Sequence, residues 1–268
     1  MLIDFHTHVF PNAIAARTID ILKGKMRKEY GEHEAYTDGT LKDLRRLMDE
    51  DGVDIGVTMP IATKVTQTES INNYAMEITD GKSIISFASL HPMQKNVEET
   101  LESIKEKGFL GIKLHPDYQD FFIDSDESIK ILKKAEQLDL IVMLHAGVDI
   151  GMPPPVHCHP KRLKNALTEV SGEKIIAAHM GGFDLWDDVE KYLVGTPIYF
   201  DTSMACERLS TEQCRRMIKN HGAEKILFAS DTPWQKASTT LNYLNSLGLT
   251  EEELKLITHK NAEKLLSL

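Results

Sequence analysis

Short apolar runs, rich in β-branched side chains, alternate along the whole chain with segments of helical periodicity. Runs of this length that are bounded by Gly, Pro, Asn or Asp are typical of strands. Several of them are apolar at every position, which is the pattern of parallel strands buried on both faces. The sequence predicts eight strands: Leu2–His6, Val53–Met59, Ile84–Leu90, Gly111–His115, Leu140–His145, Lys174–His179, Pro197–Thr202 and Lys225–Ala229.

Apolar residues three or four positions apart predict helices between the strands. Gly52 follows one such segment and is a favourable C-terminal stop. Capping-box pairs are predicted to open two helices late in the chain. These segments are Leu41–Asp51, Ile129–Leu138, Leu163–Val170, and the helices that begin at Ser210 with Gln213 and at Thr250 with Glu253.

Eight strands that alternate with helices, at about one unit per 30 residues, predict an α/β protein. We expect a (β/α)₈ TIM barrel with an additional C-terminal helix, and an open doubly wound sheet is the alternative. No linker or low-complexity stretch interrupts the pattern, so residues 1–268 are expected to form a single domain. Two long insertions, Pro11–Thr40 and Gly147–Pro160, follow predicted strands. They should lie on the C-terminal face, where barrel enzymes keep their active sites.

Composition and charge narrow the function classes. The 268 residues carry 31 basic and 41 acidic side chains, a net charge of −10, which disfavours nucleic acid and anionic membranes as partners. The longest apolar run, around Leu138–Val148, is too short to span a membrane. Three widely spaced cysteines form no disulfide framework, and the N-terminus shows no secretory signal. We therefore expect a cytoplasmic protein with a small-molecule substrate, and a homodimer is the default expectation.

Residues that bind metals stand at the ends of several predicted strands. His6 and His8 share one face of the first strand, since side chains at i and i+2 point the same way. Three further strands end in His145, His179 and Asp231. In a barrel these ends converge above the core, and imidazole with carboxylate suits Zn²⁺, Fe²⁺, Mn²⁺ or Co²⁺. Five separately hydrogen-bonded polar residues would explain the pattern only by coincidence.

The motifs around these residues are spread over nearly the whole chain. They are Asp4-Phe5-His6-Thr7-His8, Gly111-Ile112-Lys113-Leu114-His115-Pro116, His145-Ala146-Gly147, His179-Met180-Gly181-Gly182, Ser230-Asp231-Thr232-Pro233-Trp234 and Asn261-Ala262-Glu263-Lys264-Leu265-Leu266. In this order they resemble the amidohydrolase superfamily. Within it, they resemble most the amidohydrolase-2 group, which includes the aminocarboxymuconate-semialdehyde decarboxylase-like proteins.

The resemblance implies roles for these residues. His6, His8, His145 and Asp231 match the ligands of a single divalent metal, with zinc expected first and Mn²⁺ or Fe²⁺ as alternatives. His179 matches a histidine that orients or activates the metal-bound water. A carboxylate near that water, such as Asp231, can move its proton to a leaving group. His179 and Asp231 are therefore the predicted catalytic residues.

Lys113 has two interpretations. It alternates with apolar neighbours and should face into the barrel. In binuclear members of the superfamily, a lysine on this strand is carboxylated and bridges two metals, and His179 would then be a ligand of the second metal. In the alternative, Lys113 binds a substrate carboxylate as a point charge. Lys113, His115 and Trp234 are accordingly predicted to bind substrate.

The leading hypothesis is a metal-dependent hydrolase, in which a metal-activated water attacks an ester, lactone or amide carbon. Non-hydrolytic decarboxylation of a small carboxylic acid is the alternative. A third hypothesis is a non-catalytic metal-binding module, which the complete ligand set disfavours. A barrel nuclease fits less well, because Lys113 stands where that group is expected to carry glutamate.

Overall fold

Parallel strands form the inner layer of the fold and follow the apolar runs of the sequence. The structure is a computed structural model that describes residues 1–268, apart from the side chain of Lys28. The strands are β1 (Ile3–Thr7), β2 (Ile55–Thr58), β3 (Ile84–Ser86), β4 (Ala88–Ser89), β5 (Gly111–Leu114), β6 (Ile141–Leu144), β7 (Ile175–Ala177), β8 (Tyr199–Asp201) and β9 (Ile226–Leu227).

The strands are arranged in chain order around a barrel. One sheet runs β1-β2-β3 and the other β4-β5-β6-β7-β8-β9, with every pairing parallel. Only Phe87 separates β3 from β4, so the two form one barrel strand, and its N–H donates to the Thr58 carbonyl over 3.0 Å. The last strand meets the first where the Phe5 N–H donates to the Phe228 carbonyl over 2.9 Å. The predicted (β/α)₈ barrel is therefore confirmed. In the alternative, a doubly wound sheet, the order of the strands would reverse at one point of the sheet.

Helices form the outer layer and connect the strands. They are α1 (Ala15–Lys25), α2 (Leu41–Asp51), α3 (Thr68–Ile78), α4 (Val97–Glu106), α5 (Pro116–Gln119), α6 (Asp126–Gln137), α7 (Pro160–Ala166), α8 (Trp186–Tyr192), α9 (Thr211–His221), α10 (Ala237–Ser246), α11 (Glu251–Lys255) and α12 (Asn261–Leu266). None of the helices in the described part of the chain is long and apolar enough to cross a membrane.

Of the three predicted helix caps, two are found in full and one in part. Gly52 ends α2 with a left-handed backbone at φ 70°, and Thr250 opens α11 in a complete capping box. The Ser210 side chain caps α9 by accepting the Gln213 N–H. The reciprocal contact of the predicted capping box, from the Gln213 side chain back to Ser210, is not formed, so that part of the prediction is wrong. The Gln213 side chain instead donates to Asp187 on α8.

Both faces of the strands are buried, as their continuous apolar runs predict. In β6, Ile141 and Met143 join an apolar cluster inside the barrel, while Val142 and Leu144 join the layer between strands and helices. The predicted C-terminal helix α12 adds Ala262 and Leu266 to the inner cluster. The opposite end of the barrel, at the C-terminal ends of the strands, is left for a cavity.

Candidate active site

Three potential metal ligands converge where β1 and the segment after β9 meet. The Nε2 atoms of His6 and His8 lie 3.2 Å apart. Oδ1 of Asp231 lies 3.0 Å from Nε2 of His8 and 3.4 Å from Nε2 of His6. The Asp231 N–H donates to the His6 carbonyl over 2.8 Å, so the backbone of the last strand fixes this carboxylate beside the first strand. We call His6, His8 and Asp231 the ligand trio.

The hydrogen bonds at Nδ1 of the two imidazoles orient their Nε2 atoms toward each other. Nδ1 of His6 lies 2.9 Å from Oδ2 of Asp201, and Nδ1 of His8 lies 2.8 Å from the Met59 carbonyl. Both partners only accept, so each Nδ1 carries a proton, and Nε2 is the nitrogen that each ring can offer to a metal. Burial and the nearby Lys113 charge hold the pKa of His6 well below its usual range, which keeps this ring neutral.

These separations fit one divalent cation. Bonds of 2.0–2.1 Å in a tetrahedral site place neighbouring ligand atoms about 3.3 Å apart, close to the 3.0, 3.2 and 3.4 Å found here. Burial opposes ionisation of Asp231, while positive charge at the positions of His6 and His8 lowers its pKa to about 2. A divalent cation held by the two neutral rings would supply that charge. Two lone pairs and an ionised carboxylate repel one another at this distance, and a cation between them relieves that repulsion.

Lys113 lies against the trio, as its position in the strand predicts. Its Nζ is 3.1 Å from Nε2 of His6, and the side chain is fully buried. Burial lowers its pKa to about 8, against the opposing charges of Asp231 and Asp201. A buried cation therefore stands beside the ligand trio, which is compatible with either predicted role of Lys113.

A chain of hydrogen bonds connects His179 and His145 to the wall of the site. The Ser203 hydroxyl donates to Oδ1 of Asp201 and accepts from Nδ1 of His179 over 2.9 Å. Nε2 of His179 is then unprotonated and accepts from Nδ1 of His145 over 3.1 Å. The same Asp201 carboxylate thus orients His6 directly and His179 through Ser203.

His145, the predicted fourth ligand, does not join the trio in the structure. Its Nε2 is buried, has no hydrogen-bond partner among the described residues, and lies 3.9 Å from Oδ2 of Asp149. Its ring reaches the trio only through His179, whose ring centroid is 5.5 Å from that of His6. Ligation by His145 therefore stays a prediction.

His145 forms a second group of potential ligands with His115 and Asp149. The rings of His115 and His145 are stacked, with centroids 4.1 Å apart and planes within 7°. A metal ion lies in the plane of each imidazole that binds it, and two parallel planes cannot both contain one ion. This group is consequently a hydrogen-bonded wall of the cavity, although its composition alone would suggest a second metal site.

A cavity of about 430 Å³ lies above these groups. Its floor is polar, while α1 and the segment from Pro60 to α3 provide an apolar side. The size and the mixture of apolar surface with a few polar groups are typical of small-molecule sites. All of the residues predicted to bind metal or substrate or to act in catalysis line this cavity: His6, His8, Lys113, His115, His145, His179, Asp231 and Trp234.

The sequence analysis missed two residues that organise the site. Asp201 directly follows the apolar run Ile198–Phe200, so the strand-end rule that selected Asp231 could have found it. Ser203 carries no such signal, because its role depends on a hydroxyl placed between two side chains from different strands.

The fold and the site define a class of protein: a (β/α)₈ barrel enzyme with a histidine–aspartate centre at the C-terminal ends of its strands. The amidohydrolase family model matches residues 3–268, and the chain belongs to that family. It is an enzyme of the amidohydrolase superfamily. No curated protein sequence matches the chain.

Solved structures with the same fold are distant in sequence. One is 5-carboxyvanillate decarboxylase from Sphingomonas paucimobilis, with 13% identity, a TM-score of 0.71 and coverage of 100% of this chain and 99% of that one. A dihydroxybenzoic acid decarboxylase from Polaromonas sp. JS666 with bound manganese has 17% identity, a TM-score of 0.67 and coverage of 100% and 97%. A probable 2-pyrone-4,6-dicarboxylic acid hydrolase from Acinetobacter baumannii has 17% identity, a TM-score of 0.67 and coverage of 100% and 99%.

Proposed function

We propose that the chain is a single-domain, metal-dependent hydrolase of a small ester, lactone or amide. The observation that carries this proposal is the ligand trio, whose separations match the edges of a metal coordination polyhedron. His6, His8 and Asp231 would hold the cation, with zinc expected first. A divalent cation bound there supplies Lewis acidity, since it polarises a carbonyl and lowers the pKa of water.

The protein side chains supply proton transfer and orientation. Asp231 is ionised and can take the proton of the attacking water and deliver it to the leaving group. Lys113 places a buried positive charge where negative charge develops on the carbonyl oxygen. The hydrogen bond between Nδ1 of His179 and the Ser203 hydroxyl fixes the orientation of the His179 ring at the cavity floor.

Metal content per chain tests the proposal. Protein purified without chelator is analysed by elemental mass spectrometry beside a His6→Ala variant. About one metal per chain, lost in the variant, supports the trio. About two would assign Lys113 the bridging role and make His179 a ligand. No metal after incubation with Zn²⁺, Mn²⁺ and Fe²⁺ would remove the basis of the proposal.

Decarboxylation of a small carboxylic acid is the second candidate. Among the described residues that line the cavity, Lys113 is the only lysine or arginine, and a buried cation beside a metal site suits a carboxylate. Two of the similar solved structures are decarboxylases. Release of CO₂ from a panel of aromatic and aliphatic acids, without ¹⁸O incorporation from labelled water, would favour this reaction over hydrolysis.

A further inference from the structure

Two helices present regular stripes of side chains to the cavity, away from the ligand trio. On α1 and the residues that flank it, every fourth side chain lines the cavity: Ile14, Thr18, Leu22 and Met26. On α3 and the residue before it, the lining side chains are three or four positions apart: Gln67, Ser70, Ile71 and Tyr74. Side chains at these spacings share one face of a helix, so each helix turns one face toward the cavity. We call these two sets the roof stripes.

The stripe on α1 crosses the mouth of the barrel. Before α1, in the segment after β1, the Phe10 carbonyl accepts the Tyr74 hydroxyl over 3.2 Å. After α1, the Arg27 N–H donates over 2.7 Å to the carbonyl of Ile150, in the loop after β6. With β3 and β4 counted as one barrel strand, β1 and β6 are the first and fifth of eight and stand on opposite sides. At 1.5 Å per residue, the stripe from Ile14 to Met26 is about 18 Å long.

The hydroxyl groups of the roof stripes are occupied by the backbone. The Thr18 hydroxyl donates to the Ile14 carbonyl over 2.8 Å. The Ser70 hydroxyl donates to the Gln67 carbonyl over 3.1 Å, and Tyr74 donates as described above. A hydroxyl has one proton, so none of the three keeps a donor for a bound molecule. An occupant of this side of the cavity therefore meets mainly apolar surface.

The charges of the cavity lie on the opposite side, at its floor. Among the described lining residues, the lysine and carboxylate side chains are Lys113, Asp149 and Asp231, which lie in or after β5, β6 and β9. Neither roof stripe contains a charged side chain. Leu22 and Ile71 are only half-buried, so a ligand that covers them removes further apolar surface from water.

We propose that the roof stripes bind an apolar substituent of the substrate, remote from its reacting carbonyl, and that Leu22 and Ile71 determine this specificity. The inference rests on the proposed function, which places the reacting carbonyl at the floor, and it names the substrate class. That class is carbonyl compounds with an extended apolar substituent. At about 30 Å³ for each water-sized group, the cavity of about 430 Å³ holds about 14 non-hydrogen atoms, which leaves room for a chain of about eight carbons.

A series of straight-chain hydroxamic acids, from acetohydroxamate to octanohydroxamate, tests the site. The hydroxamate group chelates zinc at the floor, and only the length of the alkyl chain changes. Dissociation constants are measured by isothermal titration calorimetry at pH 7.5 on the zinc-loaded protein. Each added CH₂ group that becomes buried should lower the dissociation constant about three- to fourfold. Affinity that does not depend on chain length would overturn the inference.

Substitutions at Leu22 separate the roof stripes from general stickiness of the surface. In Leu22→Gln the gain in affinity from acetohydroxamate to octanohydroxamate should fall about tenfold, because the roof loses apolar contact. In Leu22→Trp, which fills part of the cavity, the gain should stop at a shorter chain. Ile71→Gln should act like Leu22→Gln, so the test does not depend on the folding of one variant.

Ile21→Gln is the matched control. Ile21 is the neighbour of Leu22 in α1 and is 48% exposed, but it does not line the cavity. Its gain with chain length should equal that of wild type. A loss in Ile21→Gln as large as that in Leu22→Gln would overturn the inference, and so would an unchanged gain in the Leu22 and Ile71 variants.

The failure of the proposed function is detected separately. The same series is titrated into protein treated with EDTA, where every dissociation constant should rise while the gain per CH₂ group is kept. The function itself is tested by metal content and by hydrolysis of esters, lactones and amides. A gain with chain length in a protein that binds no metal and hydrolyses nothing would retain the roof stripes and reject the hydrolase. Hydrolysis without any dependence on chain length would do the reverse.

Discussion

A single carboxylate, Asp201, determines the orientation of much of the site. It is fully buried and accepts from Nδ1 of His6 and from the N–H groups of His179 and Ser203. The oxygens of a buried carboxylate need donors of this kind, because burial without them costs free energy. By fixing the His6 tautomer, Asp201 leaves Nε2 free for a metal, as carboxylates behind metal-binding histidines generally do.

Replacement of Asp201 by Asn should weaken metal binding. The amide can no longer accept from His6 as an anion, so we expect the dissociation constant for Zn²⁺ to rise about 10- to 100-fold. Competition with a chromophoric chelator measures this constant. Asp120→Asn, at a side chain that is 96% exposed, should bind Zn²⁺ as wild type does. Equal affinities in all three proteins would contradict the role given to Asp201.

The trio itself is tested through turnover. His6→Ala removes a ligand, and Asp231→Asn removes both a ligand and the proton carrier, so each should abolish activity on a confirmed substrate. The fold should remain largely intact, because the core of the barrel lies below these residues. Circular dichroism checks the fold. Near-normal activity of either variant would show that the site assignment is wrong.

At the scale of elements, two neighbouring loops at the mouth of the barrel touch through a glycine. Gly147, after β6, has φ +83°, and a Cβ there would lie 2.1 Å from the backbone nitrogen of Phe183. The N–H of Phe183 donates to the Ala146 carbonyl, and the N–H of Val148 donates back to the Phe183 carbonyl. The loop that carries Asp149 is thus seated by backbone contacts that only glycine permits.

Gly147→Ala should destabilise the protein by about 3 kcal/mol or more, from the positive φ and the steric overlap together. For a chain of this size that corresponds to a fall in Tm of roughly 6 to 12 °C in thermal unfolding. Gly24→Ala is the control, since Gly24 lies within α1 with nothing within 4 Å of its added Cβ. There alanine should raise the stability slightly. A change of 2 °C in Tm corresponds to roughly 1 kcal/mol of stability. If the Tm of Gly147→Ala lies within 2 °C of wild type, the steric role of this glycine is excluded.

The end of α9 carries a group that is sensitive to acid. Nε2 of His221 donates to the Ile198 carbonyl over 2.9 Å, and Nδ1 accepts the Gly195 N–H over 3.1 Å. Protonation of Nδ1 would place its N–H against the N–H of Gly195. Burial accordingly lowers the pKa of His221 to about 4, below its ordinary value of 6.5.

The sign of the pH effect follows from this pKa. Well above pH 6.5 the ring is neutral in the folded and the unfolded chain, and its contribution to stability is complete. As the pH falls toward 4 only the unfolded chain gains the proton, which costs about 2 kcal/mol of folding free energy at pH 5. Urea unfolding at pH 7.5 and pH 5 should show a smaller loss for His221→Gln than for wild type. Equal losses would show that His221 does not contribute.

At the scale of the whole molecule, the ligands of one centre come from opposite ends of the chain. His6 lies in β1, His8 directly follows it, and Asp231 comes after β9. The N–H of Phe5 donates to the carbonyl of Phe228 where the two ends of the barrel meet. A cation bound by the trio therefore connects the first and last strands of the barrel. Any ligand that binds only the folded state stabilises that state.

Removal of the metal should lower the stability of the barrel. A free metal concentration of 100 times the dissociation constant contributes about 2.7 kcal/mol. Thermal unfolding of wild type with and without EDTA should reveal a drop in Tm, which Zn²⁺ restores. His6→Ala should show no response to either addition. A response in the variant equal to that of wild type would place the metal outside the trio.

The sequence by itself determined the barrel and the positions of the strand ends. Apolar runs and two-residue alternation are local properties of the chain, so they predicted eight strands, the shared face of His6 and His8, and the inward side of Lys113. What only the tertiary structure decided are the partners of those side chains. Asp201 lies 195 positions from His6, and His145 stacks on His115 instead of joining the trio. Hydrogen-bond partners and ring orientations depend on distances between strands, which no local pattern along one strand specifies.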